Sequence, residues 1–198
     1  MVKSGGVEAV TAAVLAGGRA QRLGGIDKGL ALWRGRPLIA HVVAALADQV
    51  DDILILANRN GDEYRHYGHV CADDNAGYRG PLEGIATALR RAPGAWLLTV
   101  PVDSPEPGAD LLERLWRGRD GVDVVVAHDG RRRQPLFALY RRAALAIPDS
   151  DPDMPVWAWQ DRQAVREVDF SDSPARFANL NTAEDFHERS DGDDAART

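Results

Sequence analysis

Apolar residues along this chain fall into short runs separated by glycine, proline and charge. Val10–Leu15 is a β-compatible run that ends against Gly17-Gly18, the pattern of a strand entering a glycine loop. Pro37 suits the first position of a helix, and Leu38, Val42, Val43 and Leu46 give that helix an apolar face. Ile53–Ala57 is wholly apolar and Trp96–Val100 nearly so, as in strands of a sheet covered on both faces. His69–Ala72 reads as a short strand, Pro81–Arg91 and Ala109–Trp116 as helices, and Val122–Ala127 as a strand. Asp129-Gly130 marks a turn, and Pro135–Tyr140 reads as the strand returning from it. Pro152–Gln163 predicts a helix and Val165–Phe170 a strand. Thr182 with Asp185 resembles the capping pattern of a last helix.

Strands alternating with helices predict an α/β fold: a single-domain, Rossmann-like three-layer sandwich around a mostly parallel sheet, with one antiparallel element at the hairpin. Ligands of such folds sit beyond the carboxyl ends of the strands, so the loops after Leu15, Ala57, Ala72 and Val100 are where function is expected. Residues 1–9 predict a flexible lead, 10–187 the folded domain, and 188–198 a charged, disordered tail.

Composition narrows the classes. At 198 residues, 44% hydrophobic and 27% charged, the chain can bury a full core, which excludes fibrous and wholly disordered proteins. A net charge of −6 argues against a nucleic-acid partner, though a local basic pocket is compatible with it. The lone Cys71 cannot form an internal disulfide. No run approaches the ~18 apolar residues of a membrane span. The first ten residues lack the apolar core of a secretory signal. A cytoplasmic protein without membrane contact is the expectation.

The densest chemistry lies between Leu15 and Lys28, where four glycines and three basic residues occupy 14 positions. Glycines allow a ligand to approach the main chain, and consecutive N–H groups can converge on an anion. Arg19, Arg22 and Lys28 add positive charge for a polyphosphate. The loop is not a P-loop, because Gly24 is not followed by lysine, and it lacks the GxGxxG dinucleotide fingerprint.

LAGGRAQRLGGIDKGL resembles the LAGGxxxRxGxxK signature of the nucleotidyltransferase superfamily and, within it, the molybdenum cofactor guanylyltransferases. Further segments match in order: Ala57-Asn58-Arg59, Asp73 ahead of Gly80-Pro81-Leu82, Val100–Pro105, Pro135–Leu139, and Phe177–Thr182. The resemblance implies a fold of the nucleotide-diphospho-sugar transferase type. It also implies transfer of GMP from GTP to the terminal phosphate of molybdenum-molybdopterin, with release of pyrophosphate. A same-fold enzyme using CTP or a sugar-phosphate acceptor is the first alternative, and a non-catalytic nucleotide-binding protein the second. Molybdoenzymes or their chaperones are the implied protein partners, and a monomer or weak oligomer the expected state.

The resemblance also assigns residues. The backbone of Leu15, Ala16, Gly17 and Gly18 would hold nucleotide phosphates and part of the base and ribose. Lys28 would offset charge on the leaving pyrophosphate, helped by Arg22. Asn58 and Asp73 would read the guanine or ribose side. Asp103, after the Trp96–Val100 strand, would bind Mg²⁺, although its segment also suits a cap for the helix that follows. Asn179 and Asn181 would face the metal or the acceptor, although turn chemistry also suits them. Arg131–Arg133 suits a solvated face or an acceptor-phosphate contact, and Gln134 stands where many relatives carry histidine. His66, His69 and Cys71 match no zinc spacing. Trp96, Trp116, Trp157 and Trp159 are expected to pack in the core.

Overall fold

The computed structural model describes residues 8–17, 27–73, 80–145, 153–181 and 185–186. Among these residues the strands and α-helices are, in order, β1 Val10–Leu15, β2 Leu32–Trp33, β3 Arg36–Pro37, α1 Leu38–Leu46, β4 Asp52–Leu56, α2 Gly61–Tyr64, β5 His69–Cys71, α3 Pro81–Arg91, β6 Trp96–Pro101, α4 Leu111–Arg117, β7 Val124–His128, β8 Arg133–Arg141, α5 Val156–Gln160 and β9 Val165–Asp169. Seven strands form one sheet in the order β5-β4-β1-β6-β8-β7-β9. β1 pairs in parallel with β4 and β6, as do β4 with β5 and β7 with β9. β8 alone runs against its neighbours β6 and β7. The expected mostly parallel sheet with one reversed strand is what forms.

Alternation along the strands divides the core into two layers. Val10, Ala12 and Val14 of β1, with Leu98 and Val100 of β6, pack beneath α1 and α4. Ala13 of β1, Leu97 of β6 and Val124 of β7 face the other way, against α3 and α5. Each helix supplies an apolar stripe to its layer: Ile39, Val42 and Leu46 from α1, and Leu82, Ile85 and Leu89 from α3. α3 begins as the sequence predicts, with Pro81 at its first position, where a missing N–H costs nothing. Gly80 before it sits at a φ of 82°, a backbone conformation that side chains resist.

Several elements depart from the expected pattern. The helix predicted over Pro152–Gln163 is only Val156–Gln160. Pro155 disfavours helical backbone at Met154, and Asp161 to Gln163 wind down through tight turns into β9. Pro152 itself lies outside the described residues. α4 starts at Leu111, two residues later than expected, and Pro37 lies just before α1 rather than inside it. The β2–β3 hairpin was not legible; its turn places Arg34 and Gly35 at φ 47° and 73°, as a two-residue hairpin turn requires. The Arg34 guanidinium lies 4.1 Å over the Trp33 ring and 2.9 Å from Glu106, which offsets that strain. Trp96, Trp116 and Trp159 are buried as expected, but Trp157 is 52% exposed, on the outer side of α5.

The β7–β8 hairpin carries the expected Asp129-Gly130 turn. Its ladder slips: Val126 faces Ala138, but Ala127 faces Gln134. Pro135, which has no N–H to offer, lies in the surplus segment of β8. Arg133 is bound by Asp161 at 2.5 Å and Glu167 at 2.8 Å, a fold-forming role rather than a free basic face. Asp129 accepts the Arg131 and Arg132 N–H groups at 2.7 and 2.8 Å and the Gln134 amide at 2.6 Å. The Arg132 N–H bond, then the Arg131 N–H and Gln134, hold its carboxyl below the usual range.

Leu98 is fully buried in the α1–α4 layer, so Leu98→Ala should cost about 2–5 kcal/mol in urea unfolding. The lowered Asp129 carboxyl makes the hairpin's bonds present above about pH 4 and lost as pH falls through the depressed value. Gln134→Leu should raise the Asp129 titration midpoint, read by carboxyl carbon NMR.

Candidate functional site

Four parallel strands end on one edge of the sheet, and backbone bonds lace their exits together. The Ala16 N–H donates to the Leu56 carbonyl at 2.9 Å, that of Val102 to Leu15 at 3.1 Å, and that of Ala57 to Cys71 at 2.9 Å. The exits of β1, β4, β5 and β6 thereby bring Gly17, Asn58, Asp73 and Asp103 to one rim. Of the predicted glycine loop, Leu15, Ala16 and Gly17 lead in, and Lys28 stands at its far end. Gly18, Arg19 and Arg22 lie outside the described residues.

Lys28 is the meeting point of three distant segments. It opens a 3₁₀ turn, Lys28–Leu30. Its Nζ donates to Asp103 Oδ2 at 2.7 Å and to Asn181 Oδ1 at 2.5 Å. Lys28 and Asp103 are 19% and 21% exposed, so the pair is partly withdrawn from water yet open to a ligand. Asp103 does not cap α4, which starts eight residues later with Asp110 at its N-cap. The 179–181 segment is pinned to the exit of β6. The Leu180 N–H donates to the Asp103 carbonyl at 2.9 Å, and the Ser104 hydroxyl to Asn179 Oδ1 at 2.8 Å. Asn179 and Asn181 thus both reach that exit, but only Asn181 touches Lys28. Asp185 accepts the Asn181 N–H at 2.6 Å; its predicted capping partner Thr182 lies outside the described residues.

Across the rim, Asn58 and Asp73 hold each other. The Asn58 amide donates to Asp73 Oδ2 at 2.6 Å, and the Asp73 N–H donates to Asn58 Oδ1 at 2.8 Å. A methyl group added at Gly17 would lie 3.4 Å from the Asn58 amide and 3.9 Å from Asp73, so the three positions border one small space. The sequence-predicted residues therefore form two groups: Gly17, Asn58 and Asp73 on one side, and Lys28, Asp103 and Asn181 on the other.

The donor set suits a hard cation. Asp103 and Asn181 present two oxygens to one positive centre, now the Lys28 ammonium. Mg²⁺ commonly takes one or two carboxylates and completes its shell with water and phosphate oxygens. Among the described residues no cluster of three or more His, Cys, Asp or Glu could form a closed metal cage.

Sequence reasoning missed the support beneath Lys28. Asp27 accepts bonds from Gly29, Asn60 and Tyr64. Asp27 stood out only as the neighbour of Lys28, and Tyr64 belongs to a four-residue helix too short to carry a periodic signal.

Residues 12–165 match the family model of the MobA-like NTP transferase domain. A molybdenum cofactor guanylyltransferase of Vibrio vulnificus is 42% identical over 183 residues, covering 87% of this chain and 91% of that protein. One from Shewanella putrefaciens is 38% identical over 182 residues, covering 89% and 93%. Among solved structures, molybdopterin-guanine dinucleotide biosynthesis protein A of Archaeoglobus fulgidus superposes with a TM-score of 0.75 at 21% identity, covering 95% of this chain and all of that one. A Mycobacterium tuberculosis protein solved in complex with manganese superposes at 0.67 with 16% identity, covering 94% of this chain and all of that one. At these identities the structural matches speak for the fold alone.

Proposed function

The chain belongs to the MobA-like NTP transferase domain family, and on that premise we propose that it is a molybdenum cofactor guanylyltransferase. It transfers GMP from GTP to the terminal phosphate of molybdenum-molybdopterin. The single observation that carries the site assignment is the convergence of Lys28, Asp103 and Asn181 within 2.7 Å contacts at the end of a glycine loop.

In this reaction an oxygen of the acceptor's terminal phosphate attacks the α-phosphorus of GTP. The new P–O bond forms as the bond to the β-phosphate breaks, and pyrophosphate leaves with the charge. The acceptor phosphate is already anionic, so no covalent enzyme intermediate is needed. The protein's contribution is positioning and electrostatic stabilisation. The backbone of Leu15, Ala16, Gly17 and Gly18 holds the phosphates, with Arg22 adding charge. Lys28 stabilises the negative charge that grows on the transferred and leaving groups. Asn58 and Asp73 read the guanine or ribose side, which their mutual bonding on the opposite rim supports. Asn179 and Asn181 orient the acceptor side. Asp103, with Asn181 beside it, would hold Mg²⁺, which when bound supplies a Lewis acid on the phosphate oxygens.

No helix among the described residues is long and apolar enough to cross a membrane, which is compatible with work in the cytoplasm. The product then passes to molybdoenzymes or their chaperones, and the chain acts as a monomer or weak oligomer.

The test is Mg²⁺-dependent pyrophosphate release from GTP and CTP in parallel, with molybdenum-loaded molybdopterin as acceptor. Release from GTP alone is expected, and release from CTP alone would replace the named reaction while keeping the site. Asp103→Ala should lower turnover roughly 10²–10³-fold, the size of losing one preorganised charge contact. Wild-type turnover of that variant at saturating Mg²⁺ would remove the metal role. Lys28→Met should lower kcat by a similar order, about 10²-fold or more.

A further inference from the structure

Three donors converge on the Asp27 carboxylate. The Gly29 N–H donates to Oδ1 at 3.1 Å, the Tyr64 hydroxyl to Oδ1 at 2.5 Å, and the Asn60 amide to Oδ2 at 2.9 Å. The first is local and closes the 3₁₀ turn that begins at Lys28. The other two come from the segment after β4, more than thirty residues away. We propose that Asp27, Asn60 and Tyr64 form an anchor that sets the position of Lys28 for nucleotidyl transfer, with Tyr64 and Asn60 as positioning residues. The inference rests on the role given to Lys28 above.

Three features separate this anchor from ordinary loop bonding. Asn60 stands at the start of α2 with its backbone at a φ of 52°, a strained conformation for a residue other than glycine. Its side chain makes no capping bond to its own helix. An asparagine at a helix start normally caps it, so this amide is diverted to Asp27. Tyr64 is fully buried, and its hydroxyl comes out of the core at Asp27. Burial first, and then the Asp27 bond, push the Tyr64 proton far above its ordinary range, so the hydroxyl is a fixed donor at any working pH. Gly29 completes the contact: a methyl group there would lie 2.2 Å from the Tyr64 oxygen and 3.0 Å from Val102, the residue before Asp103. The turn bearing Lys28 is therefore wedged between Tyr64 and the exit of β6.

This arrangement holds the backbone of Lys28 while leaving its side chain free to exchange Asp103 and Asn181 for phosphate oxygens. Misplacing a reacting group by about 1 Å can cost on the order of 10²-fold in rate. The two arms of the anchor can be cut separately. Tyr64→Phe keeps the ring and removes only the hydroxyl. Asn60→Gly removes the amide and suits the left-handed backbone, so it should fold at least as well as the parent.

Steady-state pyrophosphate release is measured for both variants, alone and combined with Lys28→Met, with thermal unfolding alongside. Each single variant should lower kcat roughly 5- to 50-fold, with KM for GTP moving less than about twofold. In the Lys28→Met background the same changes should have no further effect, because the residue they position is gone. Wild-type kcat in both single variants overturns the anchor. An equal loss with and without Lys28 also overturns it, because the effect would then bypass the lysine. Should Tyr64→Phe fail to fold, Asn60→Gly decides alone. If Lys28→Met itself turns over normally, or the parent releases no pyrophosphate, the functional reading has failed and the anchor falls with it.

Discussion

β1 is an interior strand, third of the seven, bonded in parallel to β4 on one side and β6 on the other. That pairing aligns three strand ends on one edge, and β5, paired to β4, adds a fourth. Parallel neighbours cannot be joined by tight turns, so each connection crosses a face of the sheet and returns. The helices in those crossovers bury both faces, and Ala12, Ala13 and Val14 of β1 are fully buried. β1 carries no charged group, and its one polar side chain, Thr11, is buried and accepts the Gly94 N–H at 3.0 Å; charged groups reach solvent where the strand stops. The chemistry is thus confined to the rim by the same burial that stabilises the sheet.

Among the described residues, the electrostatics at the rim centres on the Lys28 ammonium. The Lys28 ammonium is flanked by a carboxylate and an amide oxygen from separate segments, both held by backbone bonds to the β6 exit. Oxygen acceptors arranged this way suit a cation of either kind, an ammonium or a hard metal ion. A polyphosphate entering the rim brings negative charge that both can share. In the proposed reaction, charges already set in place need little reorganisation when charge moves from the α-phosphate to pyrophosphate.

The segment 58–60 joins the two halves of this rim. Asn58 bonds Asp73 on the glycine-loop side, and two residues later Asn60 bonds Asp27 beneath Lys28. One short stretch of chain after β4 therefore spaces the Asn58–Asp73 pair from the turn that bears Lys28. The left-handed backbone at Asn60 lets the chain turn sharply enough to serve both. The same stretch continues into α2, whose Tyr64 ties it to the core.

Much of this was legible along the chain. Val10–Leu15 and Pro81–Arg91 form the expected elements to the residue, because a largely apolar strand run and a proline-started amphipathic helix are local properties. Gly17 and Lys28 stand out from the glycine-rich, basic loop after β1 itself, whereas Asn58, Asp73, Asp103 and Asn181 are placed by the resemblance to family motifs. The helix after Pro152 was overextended, since proline and tight turns set its ends against a permissive pattern. What lay beyond sequence was every contact across long separation: Lys28 with Asp103 and Asn181, and Asp27 with Asn60 and Tyr64. Local periodicity reports which face of an element is buried. Only the packing of parallel strands decides which ends meet, because that depends on strand order, and strand order is settled by the whole core at once.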